Sequence, residues 1–267
     1  MNFNEQFTTE NKICCIYAYY EKDPMYKNNF NFFLQNGILN HVDYYFVING
    51  NYSIDLSQYS NKSNINILYR ENTGYDFGAF SYALNNHINI IYDYYFFINT
   101  SVIGPCLQNN ADTNWTKYFI DLFYNENIKV VGTTINMHSI PDNDLKKSYI
   151  LNYGDKNVYS HVQSMFFCIK HDYLLFLKEK DFFNCDEINN LQMNDIIYFK
   201  EVGISQIALN NGWNINCILS KYKNLDYLNL NTDINSTSTD GDPYYPNKYF
   251  GNTINPYEVI FFKNNRF

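Results

Sequence analysis

Short apolar runs alternate with amphipathic segments along the first half of the chain. Apolar runs of strand length cover Ile13 to Tyr19, Tyr44 to Ile48, Ile65 to Tyr69 and Tyr94 to Ile98. Apolar side chains at helical spacing cover Met25 to Leu39, Phe77 to His87 and Trp115 to Tyr124. Strands that alternate with helices of this length are typical of βαβ units. The pattern therefore predicts an α/β fold with a mainly parallel central sheet and helices on both of its faces.

The second half of the chain is less regular. Further strands are predicted at Val130 to Thr134, Ser164 to Ile169 and Trp213 to Leu219, and helices at His171 to Lys178 and Val202 to Asn211. Residues 136–158 are predicted to form a long loop or small insertion, and loops of that length are usually functional or mobile. Residues 231–252 are dense in Ser, Thr, Asp, Gly and Pro and are also predicted to be loop. No internal repeat is evident, so we predict one domain over residues 1–267.

The composition describes a chain that can bury one large core. Of its 267 residues 46% are hydrophobic, and 27 Tyr and 22 Phe supply much of the apolar bulk. The net charge of -8 and the lack of a basic run argue against nucleic acid as a partner. No apolar stretch approaches the ~20 residues that span a bilayer. The polar, acidic first twelve residues argue against a secretory signal.

The six cysteines form no CxxC pair. Cys14 and Cys15 are neighbours on a predicted strand and therefore point to opposite faces, which argues against a disulfide between them. Reduced core cysteines predict a cytoplasmic location.

The strand Tyr94 to Ile98 ends abruptly in three small polar residues, Asn99, Thr100 and Ser101. Small hydrogen-bonding side chains at the carboxyl end of a strand are what an α/β sheet presents to a ligand in the crevice beyond its strands. This tip is therefore the first candidate for a binding site.

A second candidate is the loop after the third strand, which begins at Arg70. Gly74 and Gly78 permit close backbone approach or a positive φ. The amides of the following helix favour an anionic group such as a diphosphate, which Arg70 could pair with. The alternative is a plain βα loop with Arg70 in a structural ion pair. No GxGxxG follows the first strand and no P-loop lysine motif exists, so a dinucleotide fold has little support.

Glu201 precedes a predicted short helix and has two interpretations. Its carboxylate either complements the dipole of that helix or acts as a general base facing a crevice. The five histidines lack metal-binding spacing. His161, followed by Gln163 just before a predicted strand, is the best polar candidate among them.

The order of these signals resembles a glycosyltransferase of the GT-A fold, a Rossmann-like single domain. Such enzymes open with a strand ending A-Y-N-E, which Ile16 to Glu21 matches. The resemblance implies that Tyr17, Tyr19 and Glu21 help to hold the nucleotide base and ribose. It places Asn49, at the end of the second strand, near the base. The family's N-x-G near an alanine is matched by Asn72-Thr73-Gly74 and Ala79.

The later part of the chain continues the resemblance. The family carries an acidic pair before a short helix, then a Gly-aromatic pair and a strand, matched by residues 200–205 and 211–215. This implies that Glu201 is the catalytic base, which deprotonates an acceptor hydroxyl and gives inversion at the anomeric carbon. Lys200 stands where the first acidic residue of the pair is expected, which weakens the match.

A narrower resemblance is to sugar transferases of giant viruses, algae and bacteria that are related to rhamnan-synthesis proteins. Matching segments are residues 70–80, 97–105, 161–165, 201–205 and 256–266. The resemblance implies a nucleotide-binding half (13–110), an acceptor and catalytic half (111–230) and a C-terminal lid or wrap (231–267). Donor residues would include Arg70, Asp76, Asn99 and Ser101, with His161 and Gln163 at the acceptor or donor sugar. Tyr257 and Arg266 would belong to the lid.

The chain departs from the wider family at the tip Asn99 to Ser101. The family has D-x-D there, whose carboxylates hold Mn²⁺ or Mg²⁺ against the diphosphate, because hard cations bind oxygen anions. Here the tip carries only neutral oxygens. Either Arg70, lysines and helix amides meet the diphosphate charge, or a metal is held by phosphate and waters with a carboxylate from elsewhere. Asp76 is the only candidate ligand.

The resemblance implies transfer of a hexose, deoxyhexose or pentose from a nucleoside-diphosphate sugar, which we expect to be a UDP-sugar, to a glycan acceptor. The protein would be located in the cytoplasm, which for a viral protein means the host cytoplasm or the viral factory. Two alternatives stay open: a non-catalytic nucleotide-sugar or glycan-binding protein, and a sugar nucleotidyltransferase. The sequence predicts no oligomeric state.

Overall fold

The computed structural model describes residues 11–140 and 144–266. The polar segment 1–10, on which the prediction about a secretory signal rests, lies outside the described residues, as do Pro141 and Phe267. The strands are β1 (Ile13–Tyr20), β2 (Val42–Asn49), β3 (Ile65–Arg70), β4 (Tyr94–Asn99), β5 (Val102–Ile103), β6 (Ile128–Gly132), β7 (Ile135–His138), β8 (Tyr159–Val162), β9 (Phe166–Lys170), β10 (Asn214–Cys217) and β11 (Phe262–Lys263). The helices are α1 (Pro24–Asn36), α2 (Tyr75–Asn86), α3 (Trp115–Ile120), α4 (Asp144–Tyr153), α5 (His171–Glu179), α6 (Cys185–Asn190), α7 (Met193–Asp195), α8 (Gly203–Asn210) and α9 (Pro256–Val259). A π-helix, Ile196–Val202, joins α7 to α8.

Seven strands form the central sheet, in the order β10-β6-β9-β4-β1-β2-β3. Every pairing in it is parallel except those of β9, which runs antiparallel to β4 and β6. This confirms the predicted α/β fold with a mainly parallel sheet. Two small antiparallel pairs, β7 with β8 and β5 with β11, lie outside the central sheet.

Aromatic side chains cover both faces of the sheet. On one face Tyr17 packs on Phe30 of α1, with ring centroids 4.6 Å apart, and Phe96 meets Trp115 of α3. On the other face Phe97 packs on Phe80 of α2. Phe96 and Phe97 point to opposite faces because successive strand residues alternate. Helices therefore lie on both faces, as predicted.

Local chemistry explains where the helices begin. The Asp23 side chain accepts hydrogen bonds from the Met25 and Tyr26 amides, and Pro24 occupies the first turn of α1, where its missing N–H is not needed. Gly74 precedes α2 with φ +65°, and a Cβ there would lie 2.9 Å from Ile188 Cγ2. A larger residue at this position would be both strained and crowded.

The structure corrects several predicted elements in the second half. Residues 136–158 do not form a structureless loop, since they contain most of β7 and all of α4. The helix predicted over Trp115 to Tyr124 ends at Ile120. The helix predicted to begin at Val202 continues an α–π segment that starts at Met193. Glu201 therefore lies inside a helical segment and not in a first turn, so the interpretation as a dipole-complementing residue is wrong.

The C-terminal segment returns to the sheet. After the turn-rich residues 231–252, α9 begins with Asn255 as its cap and Pro256 in its first turn. β11 then pairs with β5, so that Lys263 lies opposite Val102. Since β5 follows β4 after only two residues, this pairing brings the end of the chain beside the tip of β4.

The six cysteines are free thiols, and Cys14, Cys15, Cys168 and Cys217 are buried. This agrees with the prediction that Cys14 and Cys15 form no disulfide. Among the described residues no helix is long and apolar enough to cross a membrane.

Candidate functional site

The carboxyl ends of β1, β2, β3 and β4 meet at one edge of the sheet because these strands are parallel. Four residues predicted for the site lie at or just beyond this edge: Glu21, Asn49, Arg70 and Asn99. Ser164 joins them from the opposite direction, since it precedes β9, which is antiparallel to β4. The fold thus assembles the edge from segments far apart in the chain.

The tip of β4 is organised by the Asn99 side chain. Its Nδ2 donates to Asp76 Oδ2 at 2.9 Å, and its Oδ1 accepts from the backbone N–H and the hydroxyl of Ser101. The amide therefore links the β4 tip to the first turn of α2. The predicted neighbours Asp76, Asn99 and Ser101 are brought together.

Ser164 connects Asp76 to Glu201. Its hydroxyl oxygen lies 2.8 Å from Glu201 Oε2 and 3.3 Å from Asp76 Oδ2. The pKa of Asp76 is raised to about 6, chiefly by burial; the Glu201 charge adds to the rise, and the hydrogen bonds from Asn99, Phe77 and Ser164 oppose it. The two carboxylates share one site, which the sequence spacing of 125 residues did not indicate.

Glu201 lies within the π-helix Ile196–Val202. The neighbouring Lys200 points elsewhere, donating to the Phe182 carbonyl at 2.9 Å and to Glu187 at 3.0 Å. The lysine that weakened the family resemblance is therefore a buried structural residue. Short π segments occur often at functional sites, because they redirect side chains within a helix.

His161 faces Glu201. Its Nε2 lies 3.9 Å from Glu201 Oε1, while its Nδ1 lies 2.9 Å from the Tyr159 carbonyl oxygen. That oxygen can only accept, so Nδ1 carries the proton and Nε2 carries a lone pair. Burial lowers the pKa of His161 to about 4, so the ring is neutral at pH 7. Gln163 is buried nearby, two residues along, and accepts from the Thr134 hydroxyl at 2.6 Å.

The C-terminal part of the chain contributes two charged residues that the sequence interpretation missed, Lys263 and Asp242, beside the predicted lid residue Arg266. Lys263 is partly buried, and the charges acting on it are those of Arg266, Glu201, Asp242 and Asp76. Arg266 donates to Asp242, a buried carboxylate that also accepts from the Tyr244 N–H. Lys263 lies within the C-terminal segment 256–266 that carries the family resemblance, and this was the one available signal. We call Asp76, Ser164, Glu201 and Lys263 the charge cluster.

The three residues predicted at the β1 end differ in their position relative to the sheet edge. Tyr17 is 1% exposed, and its ring packs between Phe30 and Phe33, so the structure places it in the core and away from the sheet edge. Tyr19 is also buried, but its hydroxyl donates to Glu21 at 2.7 Å. Glu21 further accepts from the N–H and hydroxyl of Ser53. Burial raises the pKa of Glu21, but these hydrogen bonds and Lys27 outweigh it and hold the pKa below its usual value.

Arg70 uses its planar fork on neutral acceptors. It donates to Asn49 Oδ1, to the carbonyl and hydroxyl of Thr73, and to Asn189 Oδ1, each at 2.8–2.9 Å. It has no carboxylate partner in the described part of the chain, so the ordinary ion-pair interpretation is wrong for Arg70. Arg266, in contrast, pairs with the carboxylate of Asp242.

Two residues predicted for the site, Asn72 and Tyr257, are exposed. Asn72 is exposed beside Gly50, where a Cβ would lie 3.6 Å from the Asn72 Cβ. Tyr257 is 54% exposed in α9, and its backbone N–H donates to Asn255 Oδ1. Within the described residues, neither side chain forms a hydrogen bond with the charge cluster.

The side chains at the β4 tip do not fit a protein-held divalent cation. Asn99 turns its NH₂ and not its oxygen toward Asp76, and its oxygen is used by Ser101. The Lys263 charge acts on the carboxylates of Asp76 and Glu201. Among the described residues no group of three or more His, Cys, Asp or Glu side chains has an arrangement that could hold a metal. Hard cations need several oxygen ligands around one position, and the described side chains at this tip do not provide them.

Comparison with known proteins gives matches among solved structures. A mannosyltransferase from Pyrobaculum calidifontis, in complex with GDP-Man and Mn²⁺, superposes with a TM-score of 0.46 at 10% identity, covering 78% of this chain and 55% of that one. S. aureus TarS 1–349 gives 0.45 at 14% identity, covering 79% and 59%. Core-mannan synthase A from Aspergillus fumigatus, in an Mn/GDP form, gives 0.41 at 11% identity, covering 80% and 74%.

This chain therefore spans little more than half the length of the first two of these proteins. No protein-family model matches the chain, and no curated protein does.

Proposed function

We propose that this protein is a glycosyltransferase that moves a sugar from a nucleoside-diphosphate sugar to a hydroxyl of a glycan acceptor. Glu201 is the general base, and the reaction inverts the anomeric carbon. The observation that carries the proposal is the pair of proton acceptors formed by Glu201 Oε1 and His161 Nε2, 3.9 Å apart at the carboxyl edge of the sheet. The family resemblance of the sequence supplies the reaction class.

The two acceptors favour a hydroxyl-bearing ligand. Glu201 Oε2 is occupied by Ser164, whereas Oε1 has no recorded hydrogen-bond donor in the described part of the chain. His161 Nε2 carries a lone pair and cannot supply a proton at pH 7. A donor is therefore needed between or beside them, because polar groups in a protein interior are nearly always hydrogen-bonded. A sugar hydroxyl provides such a donor.

The proposed step conserves protons and charge. The acceptor hydroxyl gives its proton to Glu201 Oε1 while its oxygen bonds to the anomeric carbon. The bond from that carbon to the diphosphate oxygen breaks on the opposite face, and the electron pair leaves with the nucleoside diphosphate. Ser164 holds the carboxylate in place through its hydrogen bond to Oε2, and the neutral His161 has no proton to give to the substrate at pH 7.

The donor would lie along the ends of β1 to β4. Glu21 and Asn49 are suited to the base and ribose through hydrogen bonds, and Arg70 with Gly74 to the region where α2 begins. Asp76, Asn99 and Ser101 would meet the sugar or its phosphate. His161 and Gln163 would contact the acceptor or the donor sugar, and a UDP-sugar is the first donor to test.

A donor screen followed by a Glu201→Gln variant tests the proposal. Thermal shift against UDP-, GDP- and dTDP-sugars identifies the donor, because a ligand bound only by the folded state raises the unfolding temperature. Glu201→Gln is expected to keep donor binding and to lower kcat about 10²–10⁴-fold, the usual contribution of a general base. Glu179→Gln, the same chemical change at an exposed helix end, is the control and should be unaffected.

Each alternative gives a different result. Unchanged turnover by Glu201→Gln would show that Glu201 is not the base. Donor binding by the wild type without transfer or donor hydrolysis, across an acceptor panel, would indicate a binding protein. Release of pyrophosphate from a nucleoside triphosphate and a sugar 1-phosphate would indicate a nucleotidyltransferase.

A further inference from the structure

The position of the Lys263 backbone is fixed by its own strand pairing and by the hydrogen bonds of the next residue. The residue lies opposite Val102 in the β11–β5 pair, just past the β4 tip. The next residue, Asn264, exchanges two side-chain hydrogen bonds with Asn29, at 2.8 and 3.0 Å. Asn29 also donates to the Thr100 carbonyl at 2.9 Å, and Thr100 is part of the tip itself. The Lys263 backbone is therefore held beside the predicted diphosphate site by its pairing with β5 and, through Asn264 and Asn29, by the link to Thr100.

The Lys263 ammonium has no hydrogen bond or ion pair within the described residues. Burial lowers its pKa most, Arg266 lowers it further, and Glu201, Asp242 and Asp76 oppose the shift. Arg266 already satisfies Asp242. Lys263 is thus a partly buried cation that two carboxylates attract but do not contact, and an unpaired cation in such a place needs a counter-charge.

The other cation of the site is differently placed. The Arg70 guanidinium already donates to Asn49, Thr73 and Asn189, so its hydrogen-bonding capacity is largely used. Lys263 has all three ammonium donors available. It is also the cation tied to the strand tip that carries neutral residues in place of metal-binding carboxylates.

We propose that the Lys263 ammonium binds the diphosphate of the donor directly and supplies the positive charge that a protein-held divalent cation would otherwise provide. This inference rests on the proposed function, since it names the group that the same site uses for its substrate. It assigns a binding role to a residue of the C-terminal strand and makes donor binding independent of added metal.

Calorimetric titration tests the inference on the full chain. The ligands are UDP and GDP, with UMP, GMP, uridine and guanosine, each in EDTA and in excess Mg²⁺ or Mn²⁺. The proteins are wild type, Lys263→Met, Lys263→Arg and Lys223→Met. Lys223 is exposed, so its variant carries the same change in net charge without touching the site.

We expect Lys263→Met to weaken diphosphate binding about 10- to 100-fold, the usual effect of losing a hydrogen-bonded charge. Nucleoside binding should stay unchanged, which also shows that the variant is folded. Lys263→Arg should restore most of the diphosphate affinity, because it keeps the charge. Lys223→Met should bind as the wild type does, and EDTA should change no wild-type affinity.

Two results would overturn the inference while leaving the proposed function standing. One is equal diphosphate affinity in Lys263→Met and wild type. The other is wild-type diphosphate binding that is lost in EDTA and restored by Mg²⁺ or Mn²⁺. Failure of the wild type to bind any nucleotide or nucleotide sugar would instead refute the proposed function, and the role of Lys263 with it.

Discussion

Replacing Asp76 by Asn removes one of the two carboxylates that Ser164 joins. The pKa of Asp76 is raised from 3.8 to about 6, chiefly by burial and then by the Glu201 charge. The folded protein therefore binds a proton at Asp76 more tightly than the unfolded chain does. Between these two pKa values the free energy of unfolding falls as pH rises, because the native carboxyl must ionise against its surroundings.

The size of the effect follows from the shift. Near pH 7 the ionised Asp76 costs ~3 kcal/mol of stability, whereas at pH 4 the cost is only ~0.5 kcal/mol. Asn is neutral at both pH values but loses about one hydrogen bond, since its NH₂ cannot accept, at about 1 kcal/mol. Asp76→Asn should therefore gain about 2 kcal/mol at pH 7 and change little at pH 4.

Urea unfolding at pH 4 and pH 7 measures the difference, and both values lie away from the sequence pI of about 5.0. His161 titrates in the opposite sense. Its pKa is lowered to about 4, so the stability it contributes is present above its unfolded value of 6.5 and is lost as pH falls toward 4. The contribution of His161 is common to both proteins and cancels in the difference.

Asp186→Asn is the matched control, because Asp186 is also the second residue of a helix, α6, but is exposed. The effect of Asp186→Asn on the free energy of unfolding should neither change sign nor grow between pH 4 and pH 7. If the difference in unfolding free energy between Asp76→Asn and wild type were the same at pH 4 and pH 7, the pKa of Asp76 would not be raised by its half-buried position and by Glu201 as described.

Two further predictions concern the packing around the site. Gly78→Ala should destabilise the protein by about 2 kcal/mol or more, since its Cβ would lie 2.2 Å from the Thr73 carbonyl oxygen and force the start of α2 to move; an unchanged urea midpoint would contradict this. Tyr17→Phe should stabilise the protein by about 1 kcal/mol, because it removes a buried hydroxyl that has no hydrogen-bond partner in the described part of the chain. Donor affinity should be unchanged by Tyr17→Phe, and a loss of affinity would return Tyr17 to the nucleotide site.

Much of the fold could be predicted because the strands are buried on both faces. Runs such as Tyr94 to Ile98 are apolar throughout, which is the pattern of a central parallel strand. The second half was harder because its elements are short and irregular. The antiparallel pair β7 and β8, with α4 between them, carries polar residues that are also typical of loops.

Three residues of the candidate site could be predicted because they end a strand. Asn49, Arg70 and Asn99 follow apolar runs and could be found from their positions. The position of Tyr17 could not be predicted, because an apolar run does not show which face of the sheet each side chain points to. Alternate residues of β1 face opposite helix layers, and Tyr17 faces α1. Ser164 and Lys263 could not be found, since their neighbours in space are far away in sequence.

The sequence by itself determined the order of strands and helices in the first half of the chain, the polar tip Asn99 to Ser101 and the absence of acidic residues there. Local hydrophobic periodicity and strand-end chemistry carry that information within a few residues. The tertiary structure alone decided that Glu201 faces His161, that Ser164 joins Glu201 to Asp76, and that Lys263 lies beside them. These contacts depend on an antiparallel strand, a π-helix and the pairing of the chain's end with β5, and burial then decides which of the groups carries a charge.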